Sequence, residues 1–426
     1  MPTCVPFLAL TLGVTATCYS VRCQEAPIGE PDPLRSSAGA VIEDAEQWRT
    51  IRRPEVLELF RSHVYGRAPA GRPLATESRE EDLVLRGRAV RKQWSLRYGD
   101  GPDDQIHVLA FLPRAASSDA AGSLQPREAP APVFLALNFQ GNQTVHPDPG
   151  IRLASCWVRN NQRVGVTKHR ATEQTRGSQA RRWPVELMIS RGYGLVTACY
   201  GDIDPDFDDG FENGVHGAVD EAASERAPDA WGAIGAWAWG LSRILDSLAE
   251  DPDVDANRVA VLGHSRLGKT ALWAGAQDER FWMVVSNNSG CGGAAYSRRR
   301  RGETVAVINK NFPHWFCSRF HGYADRESSL PVDQHLLIAL CAPRPVYVAS
   351  AAKDAWADPA GEFFSARGAD PVYRLLCDDG LPAEELPAVD APAHGRIGYH
   401  LRSGKHDLLR ADWLHYMDFA DRHLLR

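Results

Sequence analysis

The sequence predicts an α/β fold: a mostly parallel, doubly wound sheet flanked by helices, with antiparallel strands on its N-terminal side. Short apolar runs rich in β-branched residues indicate buried strands at 133–137, 194–200, 259–262 and 345–350. Segments with helical spacing separate these runs, and strands that alternate with helices usually pair in parallel. An alternating stretch at 83–98 precedes them and is typical of an antiparallel strand with one exposed face.

The composition is that of a globular protein with enough apolar material for a sizeable core. Of its 426 residues, 44% are hydrophobic and 24% are charged. The net charge of −6 does not imply a basic face, so we expect no nucleic acid partner. No apolar stretch is long enough for a transmembrane helix, so we expect no membrane partner, and we expect a monomer.

The N-terminus has the features of a leader. Residues 5–16 form an apolar run of signal-peptide size that is too short to span a bilayer. We therefore interpret 1–24 as a signal peptide and expect a secreted or periplasmic protein, although no Lys or Arg precedes the run; a terminus without fixed structure is the alternative. Residues 25–47 predict an extended lead-in, and 48–426 a single domain with a surface insertion at about 155–183.

Residues 48–65 predict a helix, and 83–98 predicts a half-exposed strand or hairpin that pairs with 106–112. The remaining helices are expected at 183–191, 230–248, from 267 onward, and at 331–340, 358–366 and 411–424.

Two charged segments are interpreted as solvated loops. The acidic loop after the strand at 194–200 resembles a calcium site in its spacing but lacks the closing Glu of an EF-hand; it contains Asp202, Asp204, Asp206, Asp208 and Asp209. The arginine run at 298–301 is interpreted in the same way. The six cysteines outside the leader form no C-x-x-C pair, so we expect neither a metal nor another cofactor.

One turn contains a candidate catalytic serine. Gly263-His-Ser-Arg-Leu-Gly-Lys269 lies between the strand at 259–262 and the following helix. A serine at such a turn is lifted out of the chain, and the helix N-terminus favours developing negative charge beside it. A capping serine in an ordinary strand–turn–helix unit is the alternative.

This turn resembles the nucleophile motif of glucuronoyl esterases (carbohydrate esterase family 15), particularly their bacterial branch. The resemblance extends from about Trp48 to the C-terminus through the segments 138–142, 200–204, 286–293, 356–359 and 404–406. It implies an α/β-hydrolase fold and a serine esterase without a cofactor. The implied substrate is the ester between 4-O-methyl-glucuronoyl units of glucuronoxylan and lignin alcohols. An acetyl or cinnamoyl esterase and a non-catalytic carbohydrate-binding relative are the alternatives.

The chain order serine, acid, histidine selects Ser265, Asp354 and His406 as a catalytic triad. Asp354 follows a predicted strand, and His406 lies in a loop before the last helix. The alternatives are that Asp354 caps the following turn and that His406 is an ordinary loop histidine. Order and resemblance select His406 over three other histidines, His394, His400 and His415.

The other predicted site residues surround the serine. The backbone N–H of Arg266 and the loop 140–142 are candidate donors to an oxyanion. The resemblance adds the Arg266 side chain to these donors, and it implies that Lys269, Glu303 and Trp356 bind the glucuronate. It also implies a second position for the triad acid, which Asn288 occupies here, so we expect Asp354 to contact His406. We assign the nearby Asp358 to a helix N-cap.

Overall fold

The computed structural model describes residues 29–114, 129–220 and 226–424. The expected signal peptide at 1–24 lies outside these residues. The described strands form one ten-stranded sheet in the order β1-β2-β3-β5-β4-β6-β7-β8-β10-β9. Their bounds are Ala75–Val84 (β1), Ala89–Arg97 (β2), Gln105–Pro113 (β3), Ala131–Asn138 (β4), Gly194–Cys199 (β5), Val254–His264 (β6), Met283–Asn287 (β7), Val346–Ala351 (β8), Ala393–His394 (β9) and Ile397–Arg402 (β10).

The pairing confirms the predicted fold class. The strands from β5 through β4, β6, β7 and β8 to β10 pair in parallel, whereas β1, β2 and β3 are antiparallel to their neighbours. Every residue of β4, β5, β7 and β8 is buried, because helices cover both faces of this part of the sheet. Strand β10 and its short antiparallel neighbour β9 were not predicted.

Most helices lie close to the predicted positions, but the three short ones at Gly214–Val219, Val305–Asn311 and Ser318–His321 were not predicted. Their bounds are Ala45–Gln47 (α1), Arg53–Phe60 (α2), Val185–Ser190 (α3), Gly214–Val219 (α4), Ala233–Leu248 (α5), Arg266–Gln277 (α6), Val305–Asn311 (α7), Ser318–His321 (α8), Gln334–Ala339 (α9), Pro359–Cys377 (α10) and Arg410–Leu424 (α11). Turns with π-helical bonding at Trp48–Arg52 and Arg61–Tyr65 join and extend α1 and α2. Helix α10 runs well past the predicted end at residue 366. Within the described ranges, none of the helices has the length and apolar character needed to cross a membrane.

Both charged segments differ from the expected solvated loops. In the acidic loop Asp202, Asp204 and Asp206 are buried, with exposed fractions of 5%, 4% and 1%. In the arginine run the first two side chains are mostly buried and form ion pairs. Arg298 binds Asp333, and Arg299 binds Asp358. The side chains of Arg298, Arg299 and Asp206 are buried together with partners of opposite charge, which a linear charge pattern does not reveal. Burial raises the pKa of Asp202 and of Asp204, which favours their neutral forms.

The topology determines where the loops of interest meet. Strands β6, β7, β8 and β10 are consecutive neighbours and parallel, so their carboxyl ends share one edge of the sheet. Ser265 follows β6, Asp354 follows β8 and His406 follows β10. Ligand sites of open α/β sheets lie at this edge.

Candidate active site

Ser265 lies in a strained turn between β6 and α6. Its φ of 60° and ψ of −128° are unfavourable for a residue with a side chain. The turn is tight because Gly263 lacks a side chain: a Cβ atom there would lie 1.8 Å from the carbonyl oxygen of Leu267. The Ser265 N–H donates to the carbonyl of Asn287, at the end of β7. This geometry is that of a nucleophile elbow.

His406 and Asp354 form the acid–base pair expected beside this serine. His406 Nδ1 lies 2.6 Å from Asp354 Oδ2. The carboxyl is 4% exposed, whereas the histidine side chain is 38% exposed. Ser265 and His406 line one cleft together. A hydroxyl, an imidazole and a buried carboxylate in this arrangement can carry out acyl transfer.

Three other residues near His406 or at the second acid position have partners of their own. Asn288 donates from Nδ2 to the carbonyl of Asp407 at 3.0 Å. The Asp407 carboxylate binds Arg181 and Arg182, each at 2.7 Å. Asp358 stands at the N-cap position of α10, as predicted, but its side chain makes no capping hydrogen bond and instead accepts from Arg299 at 2.8 Å.

Among the rival histidines, His400 is fully buried within a separate hydrogen-bonded group. Its ring lies 2.9 Å from Asp412 and 3.0 Å from Tyr347. His394 lies 3.2 Å from the same tyrosine hydroxyl. These two rings belong to the packing beneath α11 and not to the cleft.

The Arg266 side chain is anchored by Asp206 of the acidic loop. Its Nη1 donates to Asp206 Oδ2, and its guanidinium lies 4.7 Å from the ring centroid of Trp315. Asp206 is the anionic partner that a partly buried arginine needs. The sequence pattern gave no indication of this contact, because the two residues are far apart in the chain.

Lys269 is more deeply buried than predicted. Its Nζ donates to the carbonyls of Ser289 and Cys291, both at 2.6 Å, and lies 3.2 Å from Glu303 Oε2. These contacts occupy the three protons of the ammonium group. Lys269 and Glu303 still line the cleft, as predicted. Trp356 borders it with 52% of its surface exposed, so this ring is not part of the core.

Two cavities meet at Ser265, Arg266 and His406. The first, of about 330 Å³, extends towards Lys269, Glu303 and Trp356. The second, of about 340 Å³, extends the other way, beneath the loop after β4 and the segment 155–183. Its lining includes Gln140, Arg159, Asn160, Gln179, Trp183 and Leu408. The predicted surface insertion therefore forms part of the cleft wall.

His264 is a site residue that sequence reasoning did not assign. Its ring lies 4.6 Å from the His406 ring, and its Nδ1 lies 2.6 Å from Asn287 Oδ1. Burial, together with the nearby charge of His406, lowers its pKa well below the ordinary value. His264 is therefore a neutral neighbour of the base at neutral pH.

Comparison with known proteins gives a consistent result. A family model for fungal glucuronyl esterases matches residues 226–377. A carbohydrate esterase from an unknown prokaryotic organism is 49% identical over 92% of this chain and 89% of its own length. A 4-O-methyl-glucuronoyl methylesterase from Schizophyllum commune is 34% identical over 83% of this chain and 74% of its own.

A solved structure extends the likeness to three dimensions. A promiscuous esterase of carbohydrate esterase family 15, from a marine bacterial metagenome, superposes with a TM-score of 0.85 at 48% identity. The match covers 92% of this chain and 96% of that one. The elbow, the sheet order and these relatives agree, and the chain belongs to the glucuronoyl esterases of carbohydrate esterase family 15, within the α/β-hydrolase fold.

Proposed function

We propose that this chain is a serine esterase that hydrolyses the ester between 4-O-methyl-glucuronoyl units of glucuronoxylan and lignin alcohols. The observation that carries the proposal is the hydrogen bond of 2.6 Å between His406 and the buried Asp354, in the cleft that Ser265 lines. The family supplies the substrate class, and the relative from Schizophyllum commune is named for the same acyl group.

In the proposed reaction, Ser265 Oγ attacks the ester carbonyl while His406 takes its proton. Asp354 stabilises the imidazolium that forms and holds the ring orientation. The tetrahedral intermediate collapses, His406 returns the proton to the leaving alcohol, and the glucuronoyl group remains on the serine. Water, activated by His406, then attacks this acyl group, which releases the free uronic acid and restores the serine.

The negative oxygen of the intermediate needs donors. The backbone N–H of Arg266 directly follows the nucleophile, and the guanidinium of the same residue lies nearby on the Trp315 ring. A positive charge stabilises the negative oxygen more strongly here than in bulk water, because the cleft excludes part of the solvent. The loop 140–142 remains a candidate for a further donor.

We assign the uronate to the cavity lined by Lys269, Glu303 and Trp356. An exposed tryptophan at the rim offers both a flat face and an indole N–H to a sugar. Because the Lys269 protons are bonded to protein, we infer that it acts partly by fixing Glu303 and the 289–291 backbone. The ester alcohol would then leave through the second cavity, on the far side of Ser265.

We further propose that the protein is exported to the periplasm or beyond the cell. The support is the apolar run at 5–16, which has the size of a signal-peptide core. Mass spectrometry of the N-terminus of the mature protein tests this proposal. A mature chain that still begins at Met1 would contradict it.

A substrate panel tests the activity. We expect turnover of benzyl glucuronate, with a lower kcat/KM for a short acetyl ester and for a cinnamoyl ester that lack the uronate. Ser265→Ala is the matched control and should be inactive on all three. Preference for the acetyl or cinnamoyl ester would establish the nearest alternative, and hydrolysis of none would favour a carbohydrate-binding relative.

A further inference from the structure

Asp206 is a buried carboxylate surrounded by hydrogen-bond donors. Its Oδ1 lies 2.8 Å from Trp315 Nε1 and 3.1 Å from His314 Nε2. Its Oδ2 accepts from the Tyr200 hydroxyl at 3.1 Å and from Arg266 Nη1. Burial raises the pKa of Asp206, but the His314 hydrogen bond and the Arg266 charge outweigh it and keep the pKa below its ordinary value. The group is therefore an anion at the pH of any ordinary assay.

Two groups fix the Arg266 guanidinium, and both depend on Asp206. The Asp206 carboxylate binds the guanidinium directly. The Trp315 ring, whose centroid lies 4.7 Å from the guanidinium carbon, donates its indole N–H to the same carboxylate. Phe312 backs this ring in a parallel stack with centroids 3.8 Å apart. A guanidinium held by a carboxylate and an aromatic face has little freedom to turn.

Arg266 lines both cavities that meet at Ser265, so its guanidinium charge lies beside the cleft. Because Arg266 directly follows Ser265, an oxygen that becomes negative at the serine is a chemically suitable partner for this charge.

The Trp315 ring also faces the second cation of the cleft. Lys269 Nζ lies 5.9 Å from its centroid. The ring is 3% exposed, so it is part of the wall between the arginine and the lysine. A shift of Trp315 would therefore change the setting of both cations at once.

We propose that Asp206 is a positioning residue for ester hydrolysis: it holds the Arg266 guanidinium directly, and through Trp315, so that this cation stays beside the oxygen that becomes negative at Ser265. The inference rests on the proposed oxyanion role of Arg266. Donors that are fixed before the reaction need no reorganisation during it, so loss of Asp206 should slow turnover more than it weakens substrate binding.

A double-mutant cycle tests the positioning role. The variants are Arg266→Ala, Asp206→Asn and the double variant, and kcat and KM are measured with benzyl glucuronate. We expect Arg266→Ala to lower kcat by about 10²–10³-fold, the usual loss for one oxyanion donor. Asp206→Asn should lower kcat by a comparable factor with little change in KM. The double variant should be no more than about threefold slower than Arg266→Ala, because residues that act as one unit are not additive.

Asp251 provides a matched control. It is also a buried carboxylate held by cations, at 2.8 Å from Lys92, but it lies outside the cleft. Asp251→Asn should lower the unfolding midpoint and leave kcat unchanged. A loss of kcat in this control that matches the loss in Asp206→Asn would reduce the Asp206 effect to general instability and overturn the proposal.

The outcomes separate two failures. Normal kcat in Arg266→Ala would refute the proposed oxyanion role of that side chain. A slow Arg266→Ala variant combined with a normal Asp206→Asn variant, or with effects that multiply in the double variant, would refute only the positioning role.

A rescue experiment covers the case in which Asp206→Asn does not fold. Guanidinium chloride at non-denaturing concentration is added to Arg266→Ala, with equal sodium chloride as the control. If Asp206 and Trp315 hold a guanidinium at the correct place, the free ion should raise kcat severalfold. No increase over sodium chloride would overturn the proposal.

Discussion

Replacement of Asp354 by Asn removes the negative charge that faces the His406 ring and leaves the shape of the side chain at position 354 nearly unchanged. The charge on the carboxylate faces an imidazolium in the transition state, with charge centres about 4 Å apart, which at an effective dielectric constant of about 20 corresponds to about 4 kcal/mol. His406 is 38% exposed, so water screens part of this attraction. A remaining loss of about 3–4 kcal/mol lowers kcat by about 10²–10³-fold.

The assay is steady-state release of benzyl alcohol from benzyl glucuronate, with the unfolding midpoint measured for each variant. Asn288→Ala is the control, because Asn288 bonds the Asp407 carbonyl and occupies the second position for an acid. It should cost kcat much less than Asp354→Asn does. The reasoning is refuted if Asp354→Asn keeps more than about a tenth of the parent kcat, or if Asn288→Ala loses as much.

Three further predictions use the same substrate, and a fourth concerns the stability of the fold. Ser265→Ala should abolish hydrolysis while the protein stays folded and binds the uronate, and near-normal turnover would contradict the mechanism. Lys269→Ala should lower kcat/KM for benzyl glucuronate more than for an acetyl ester, and equal effects on both esters would contradict the uronate assignment. The same variant should lower the free energy of unfolding by about 3 kcal/mol, because it leaves Glu303 buried without its cation. Trp356→Ala should raise KM for the glucuronate without lowering the unfolding midpoint, since this ring is 52% exposed; an unchanged KM would remove it from the site. Glu362 lies in α10 and is fully buried. Burial raises its pKa from 4.5 to about 7, so the folded state binds a proton more tightly than the unfolded chain. The parent should therefore lose up to about 3 kcal/mol of stability relative to Glu362→Gln between pH 4.5 and pH 7, measured by urea unfolding, and a pH-independent difference would contradict this.

The parts of the fold that sequence could predict are those with a strong local signal. Buried parallel strands are continuous apolar runs, so β4, β5 and β8 were predicted close to their observed bounds, whereas only the apolar centre of β6, at 259–262, was predicted. Strand β10, Ile397–Arg402, has a glycine, a histidine and an arginine among its residues. Its two polar side chains, His400 and Arg402, can be buried because both bind Asp412 of α11, a contact made in the folded chain alone.

In the candidate site too, residues with a local signal could be predicted, and residues that depend on long-range contacts could not. Ser265 has a local signature, and chain order with resemblance led to Asp354 and His406, whose contact the structure contains. The acidic loop was misread because the burial of Asp206 depends on Arg266, His314 and Trp315, none of which is near it in sequence. Charge partners at long range cannot be derived from composition or spacing.

The central claim is that Ser265 carries the glucuronoyl group during turnover. The most direct measurement is rapid acid quench of the enzyme with benzyl glucuronate, followed by proteolysis and mass spectrometry of the peptide that contains Ser265. We expect a mass increase of one glucuronoyl group on that peptide, and none in Ser265→Ala. Steady turnover by the parent with an unmodified Ser265 peptide, or the same modification on another residue, would contradict it.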